Sequence, residues 1–567
     1  MKKIINKIKK YKFILVLTIL LSIKIIIVQV QPLNAKYTMQ YDDQLMVEIS
    51  ENIVEGNWLG EYNSKTLVKG VFTPLFIGFM YICHIPFLIG KEIFYGISCI
   101  ILTIILKKKI KSKIALITVY SIILFNPVEY SSELSRVYRD GIYMSLIIYL
   151  LAFSLGIFLS RKEEIKKQIK YFIGLGFSIT ATYLCREENI WLYPFLFFMI
   201  GNIWISIFVD KKLESKIKRI SLYMIPIIIF LMIVNSICIL NYRYYGVYTL
   251  NEYWGKPFKS AYGALTRVIP RKEKTRVPVT NETLQKLYLH SPKLAELQNF
   301  FEGEKANKWR NCGEKIEGEI NGGYFHWALM EAVEDKGYYK DAKTAKQYYL
   351  DLANEINKLC DAKVINCREQ KIVSNSCYFD IKDIIETIMK MNDTAKFQYK
   401  LTNMQMTVSN PGSVVGLENE KEKLEKMEKM TNQKIETVSH YIKKYNNFRL
   451  KIIKIISELY CFSNKYLFNI SIFLFIFFIV INIKELINVY EDLIIIIALI
   501  NLYVSRIFIV TFTKKMMFEE ALNISYLSCI YNIQFLFSII VIIVLIKSFR
   551  IKYNERKSRI NNIDSSS

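Results

Sequence analysis

Histidine is scarce in this chain, with four in 567 residues. None is grouped with cysteines at ligand spacing, which excludes a His/Cys metal centre as the organising chemistry. No repeat of fixed period runs through the sequence, so a solenoid is excluded. Despite a formal charge of +25, there is no basic stripe with interleaved aromatics of the kind that tracks nucleic acid. No small-x-small cleavage site follows the first apolar run in "QVQPLNAKY". That run is therefore expected to be a retained helix rather than a signal peptide.

What is present is apolar. Hydrophobic residues make up 52% of the chain and aromatics 14%, and mean hydropathy is positive. Runs such as "FILVLTILLSIKIIIVQV" and "DLIIIIALINLYVSRIFIV" approach or reach the length a helix needs to cross about 30 Å of hydrocarbon. The predicted fold class is an α-helical polytopic membrane protein. Spanning helices are expected near 12–31, 91–107, 113–127, 141–160, 169–185, 190–209, 219–240, 465–484, 491–512 and 525–547. Lys24 lies inside the first, where charge is costly, and is expected to snorkel or to face protein.

The basic residues cluster at "MKKIINKIKKYK", "KKKIKSK", "RKEEIKKQIK", "DKKLESKIKR" and "KSFRIKYNERKSR". Each cluster flanks an apolar run, which is the positive-inside pattern, with some affinity for anionic lipid heads. One apolar run is left over, "GVFTPLFIGFMYICHIPFLIG" at 70–90. If it spanned, alternation of the basic loops would fail. Pro74, Pro86 and His84 suit an interrupted segment that does not cross. Localisation follows as a multi-pass cell-membrane protein with a cytoplasmic N-terminus, although Lys514 and Lys515 remain outside in this scheme.

The expected divisions are a membrane module over 1–240, a mostly helical extracytoplasmic domain over 241–463, a three-helix membrane part over 464–548, and a basic cytoplasmic tail over 549–567. In the outer domain, prolines at Pro257, Pro270, Pro278 and Pro292 predict an irregular start. "AKTAKQYYLDLANEINKLC" has helical spacing, and "LENEKEKLEKMEKMTNQKIETVSHYIKKYNNF" reads as one charged helix. Six of the ten cysteines lie in or beside membrane helices, where they pack as small hydrophobes. The other four, Cys312, Cys360, Cys367 and Cys377, permit two disulfides with three connectivities outside the cell.

The first outer loop, 32–90, contains "YDDQLMVEISENIVEGNWLG". A carboxylate here is suited to act as general base on a hydroxyl. The pair also has the oxygen ligands that Mg or Mn takes, the one cofactor the sequence leaves open. Equally, Asp42 has the type and place of an N-cap for the helix that follows. The loop resembles the first extracytoplasmic loop of the GT-C superfamily of polytopic glycosyltransferases, which includes protein O-mannosyltransferases and aminoarabinose transferases. That pattern is an acidic pair after the first membrane helix, then a juxtamembrane helix ending near G-x-W, matched here by Asp42, Asp43, Gly56 and Trp58. The superfamily's second juxtamembrane helix often begins at K-P-P-L. In "LVKGVFTPL" Lys69 matches and the proline pair is absent. "SRVYRDGIY" supplies Arg136, Arg139 and Asp140 where the superfamily tends to carry Arg and Asp.

The resemblance implies an inverting transfer of sugar from a polyprenyl-phosphate carrier to a cell-surface glycan, lipid or protein, with Asp42 and Asp43 catalytic. Arginine forks and lysine point charges suit phosphate oxygens, so Lys69, Arg136, Arg139 and Arg186 are the candidate donor-phosphate ligands. A local pair with Glu187 or Glu188 is the alternative for Arg186. Trp58, His326 and Trp327 are candidate acceptor contacts, with core packing as their alternative. Two rivals are a polysaccharide polymerase or ligase and a lipid-linked sugar flippase. The second favours mid-membrane charge and inverted repeats, of which only Lys24 is legible.

Overall fold

The computed structural model describes residues 2–29, 31–369, 376–399, 420–434 and 440–564. No strand occurs among them; pairing outside helices is confined to single bridges such as Asn34 with Arg136. Among the described residues nine helical segments are long and apolar enough to cross a membrane: Tyr11–Val28, Phe87–Leu106, Lys113–Tyr130, Arg139–Ser160, Asn189–Val209, Lys216–Tyr245, Lys444–Ile481, Tyr490–Met516 and Glu519–Ser558. The chain is a multi-pass membrane protein. The tenth expected span, 169–185, forms the helix Ile165–Cys185 but is less apolar than the others. Lys166, Lys167 and Lys170 stand in its first two turns, and it packs between neighbouring helices.

The helices that position the site are α1 (Lys2–Val28), α2 (Asp43–Glu55), α3 (Phe72–Ile82), α4 (Phe87–Leu106), α5 (Arg139–Ser160) and α6 (Ile165–Cys185). α7 (Met224–Tyr245), α8 (Phe325–Asp335), α9 (Tyr490–Met516) and α10 (Ile524–Asp564) complete the set. α5 packs against α4 and α6, α6 against α7, and α9 against α10. The leftover run at 70–90 divides. α3, at 11 residues, is about 16 Å long and too short to cross. A turn with His84 at φ 53° follows, and α4 begins at Phe87, four residues earlier than expected, so Lys91 and Glu92 lie inside it.

Four of the five basic segments meet at one end of the bundle, where Phe13, next to the first segment, joins them. Lys107 stacks on Phe13, Lys108 pairs with Glu163, and Arg219 donates to the carbonyls of Arg161 and Glu163. Lys109 and Arg161 share Glu491, while Lys547 pairs with Asp492. At the opposite end the two unwelcome cations are neutralised, Lys514 by Glu519 and Lys515 by Asp383 and Glu386. Inside the bundle, Lys24 faces protein. Its ammonium lies 2.9 Å from Glu92, which pairs at 3.0 Å with Lys91, itself 3.2 Å from Glu129; all four side chains are fully buried.

The polar segment departs from expectation in three places. Residues 417–448 are not one helix: Lys421–Thr431 ends at Asn432 in the left-handed conformation, residues 440–448 belong to the next helix, and 417–419 and 435–439 lie outside the described residues. The expected boundary at 463/464 falls inside a continuous helix, His440–Ile481. The helix Ile381–Tyr399 runs alongside the span α9, with Thr394 bonded to Thr511 and Gln398 to Tyr503. Of the cysteines, Cys360 pairs with Cys367, whereas Cys312 and Cys377 are free. Two outer disulfides are therefore reduced to one, because Cys377 is buried and its partner is not beside it.

Candidate functional site

The first loop is fastened to the loop before α5. The Asn34 amide donates to the Ser135 carbonyl at 3.1 Å and its side chain to the Ser132 carbonyl at 2.9 Å. This register delivers Asp43 to Arg136, 93 residues away. Asp43, at the first turn of α2, is fully buried, and the Arg136 Nε lies 3.2 Å from both its oxygens. Its position also suits the positive end of the helix dipole.

Asp42 occupies the N-cap position of α2, yet its side chain makes no capping hydrogen bond. It turns instead toward two cations, 3.1 Å from Lys69 and 3.6 Å from Arg136, and its side chain is 35% exposed. The crowding of neighbouring groups opposes ionisation, but Lys69 and Arg136 outweigh it and hold the Asp42 carboxyl well below the usual carboxylate range. Burial pushes Asp43 up, against the pull of Arg136. It also pushes Lys69 down, against Asp42. Asp42 is thus the accessible member of the pair, and its carboxyl is ionised.

Lys69 reaches this point because the chain beside it runs close to the end of α6. A Cβ on Gly70 would lie 2.0 Å from the Leu184 carbonyl oxygen, so only glycine permits the approach. Lys69 donates to the Tyr138 hydroxyl at 3.0 Å. The Tyr138 ring has three cations within 5.4 Å: Lys69, Arg136 and Arg139. Such proximity is favourable to a π face.

Two further cations expected at the site are held crosswise. Arg139 pairs with Glu187 at 3.2 Å and Glu188 at 3.6 Å. Arg186 pairs with Asp140 at 2.9 Å rather than with its own neighbours. Lys69, Arg136, Arg139 and Arg186 are therefore brought to one end of the bundle, each facing a carboxylate. Some of their donors nevertheless lack acceptors: the Arg139 Nε and the Arg186 Nε are buried without a hydrogen-bond partner.

An aromatic wall stands beside Asp42. Tyr41 lies 4.7 Å from Trp327 and 5.3 Å from Trp309, ring centre to ring centre, and Lys69 sits 5.2 Å over Trp327. His326 packs on Trp327 at 4.7 Å and Tyr253 at 4.8 Å. Burial and the nearby Lys69 push it down to about 3, so it is a neutral, packed ring. Trp58 is engaged elsewhere, its indole donating to Asn241 of α7 at 2.7 Å. Among the described residues no group of three or more His, Cys, Asp or Glu side chains is arranged to hold a metal.

Sequence reasoning missed Tyr138, Tyr41 and Glu133, and it passed over Arg506, a lone cation in the apolar run of α9. The signal for Arg506 was that isolation, since an intramembrane charge is a functional marker by default.

No family model matches the chain, and no curated protein sequence matches it. Among solved structures, the crystal structure of ArnT from Cupriavidus metallidurans bound to undecaprenyl phosphate is similar at 10% identity, covering 88% of this chain and 77% of that one with a TM-score of 0.30.

Proposed function

We propose that this protein is a membrane glycosyltransferase of GT-C type. It moves a sugar from a polyprenyl-phosphate carrier to a cell-envelope acceptor, with Asp42 as general base. The observation that carries the reading is the state of Asp42: ionised, a third exposed, and free of the capping role that its position offers. It stands at the end of an apolar bundle among cations and beside an aromatic wall of the kind that stacks on sugar rings. The resemblance of the first loop supports the same assignment. The convergence of four basic segments at the far end supports placing Asp42 outside the cytoplasm, as does a disulfide in the 241–463 polar segment.

In the proposed step an acceptor hydroxyl oxygen attacks the anomeric carbon and its proton passes to Asp42. The bond from that carbon to the phosphate oxygen breaks with inversion, and the polyprenyl phosphate leaves. Negative charge growing on the phosphate is met by Lys69 and the arginines. Asp43 orients Arg136 from its buried position. Asp42 and Asp43 are already neutralised by Lys69 and Arg136, so the proposal sets no Mg or Mn between them. Tyr41 and Trp327 form the acceptor-side wall, and His326 supports it by packing.

The flippase alternative draws on one observation, the buried chain Lys24–Glu92–Lys91–Glu129. Those charges balance one another, and both lysines also donate to backbone carbonyls, which fits a structural brace better than a moving relay.

The test uses purified protein in lipid with a panel of polyprenyl-phosphate sugars and cell-envelope extract as acceptor. Asp42→Asn is expected to fold, to retain donor binding and to lose transfer by about 10²-fold or more. Undiminished transfer by folded Asp42→Asn removes the base from this position.

A further inference from the structure

Arg506 lies in the middle of α9, 2% exposed. Its Nε donates to the Tyr526 carbonyl at 2.7 Å, but its Nη2 has no hydrogen-bond partner. Among the described residues no carboxylate oxygen lies within 4.0 Å of its guanidinium, in contrast to Arg136, Arg139 and Arg186. A guanidinium buried without a counter-charge inside a membrane bundle is expensive. Ring contacts soften the cost: Arg506 lies 5.2 Å from Trp191 and 5.9 Å from Tyr143. A π face attracts the cation but accepts nothing from an in-plane N–H.

Arg506 does not stand alone. Arg186 lies 5.4 Å from the same Tyr143 ring and 5.0 Å from the Tyr526 ring; its Nη1 is paired with Asp140, and its Nε lacks an acceptor. The shared ring is fixed, since the Tyr143 hydroxyl donates to Asn189 at 2.6 Å and accepts from the Trp191 indole at 3.0 Å. Tyr143 is four residues after Arg139 in α5, which sets this pair about one helical turn below the charged rim. The carboxylates at this place are engaged: Asp140 pairs with Arg186 at 2.9 Å, and Glu188, a third exposed, with Arg139 at 3.6 Å.

From this arrangement we infer that Arg506 and Arg186 form a buried phosphate-binding pair, one turn below Asp42's rim, that takes the phosphate of the lipid carrier. The inference deepens the glycosyltransferase reading and rests on it. It assigns part of the donor site to the C-terminal helices α9 and α10 rather than to the N-terminal module alone. A lipid phosphate enters from the side with its chain in hydrocarbon, and the unsatisfied Arg506 Nη2 and Arg186 Nε suit its oxygens as charge-assisted donors.

The experiment measures binding of undecaprenyl phosphate and of undecaprenol to the full chain in phosphatidylcholine nanodiscs. Wild type is compared with Arg506→Gln, Arg506→Lys and a control at the 85%-exposed Arg271, Arg271→Gln. Inorganic phosphate and phosphatidylglycerol serve as competitors. Wild type is expected to prefer undecaprenyl phosphate over undecaprenol. Arg506→Gln should weaken the phosphate form about tenfold or more while leaving undecaprenol unchanged. Arg506→Lys, which keeps the charge and so the fold, should lose affinity by a smaller factor, and Arg271→Gln none. If wild type prefers the phosphate and both Arg506 variants retain that preference in full, the inference fails and the carrier reading survives. If wild type shows no preference, both fail. Equal displacement by inorganic phosphate or phosphatidylglycerol overturns the assignment to the carrier.

Discussion

Removing the Arg136 side chain tests the core of the site, because Asp43 is fully buried and Arg136 supplies its contacting cation. Arg136→Met leaves that carboxylate buried without a partner, which costs about 3–5 kcal/mol. Asp43→Asn removes the charge and leaves Arg136 with Asp42 at 3.6 Å and Glu133 at 3.3 Å, so the loss is smaller, about 2 kcal/mol. The double variant has no stranded charge at this point. Its cost should fall short of the sum of the singles by about 2–3 kcal/mol, a coupling that only contacting residues show. The assay is unfolding of the full chain in mixed micelles, with reversibility established first so that free energies are defined. Single costs that add to within about 0.5 kcal/mol would refute the pairing.

Two other outcomes follow from the same geometry. A carboxyl held low stays charged above its unfolded value and loses its charge, with the stability it contributes, as pH falls through the folded value. Transfer should therefore hold level on the acid side down to about pH 4, the ordinary carboxylate value, and Lys69→Met should move the acid limb upward by removing one of the two cations that hold Asp42 down. A wild-type limb near pH 6–7 would show that another group is the base. In thiol labelling of intact cells with an impermeant maleimide, the half-buried Cys312 should react directly, and Cys360 and Cys367 only after reduction. Replacing that pair should cost about 2 kcal/mol, and protection of Cys312 on intact but not permeabilised cells would reverse the assigned orientation.

Much of the architecture was legible because bilayer physics restricts it. Apolar length located the spans, and the basic clusters placed the loops at two ends, where the salt bridges around Glu491 and Asp492 now join them. What composition could not show was polarity paid for by protein contacts. Lys24 was visible as a costly charge, but Glu92 and Lys91 were not its visible partners, because they stood at the first two positions of the expected span 91–107, at its rim, whereas the helix begins a turn earlier. The helix Ile381–Tyr399 alternates lysine and acid with isoleucine and so looks like a surface helix. Its place along α9 is marked by polar contacts, Thr394 to Thr511 and Gln398 to Tyr503, and by the pairing of Lys515 with Asp383 and Glu386, that no periodicity announces.

At the site itself, residue types were legible and pairings were not. Arg186 shows why. Its neighbours Glu187 and Glu188 made a local ion pair the natural alternative, yet its backbone is extended, at φ −139° and ψ 130°. In extended chain successive side chains leave on opposite sides, so Arg186 and Glu187 cannot face each other. Each must find its counter-charge on another element. Both find it at the start of α5, where the adjacent residues Arg139 and Asp140 present the opposite order of sign, Arg139 to Glu187 and Asp140 to Arg186. The two dipeptides, Arg-Asp at 139–140 and Arg-Glu at 186–187, thus exchange partners across the interface between α5 and the end of α6. That exchange fixes the position of Arg139 relative to Tyr138 and Lys69, so the geometry around Asp42 is set by a charge pattern whose two halves lie 46 or more residues apart.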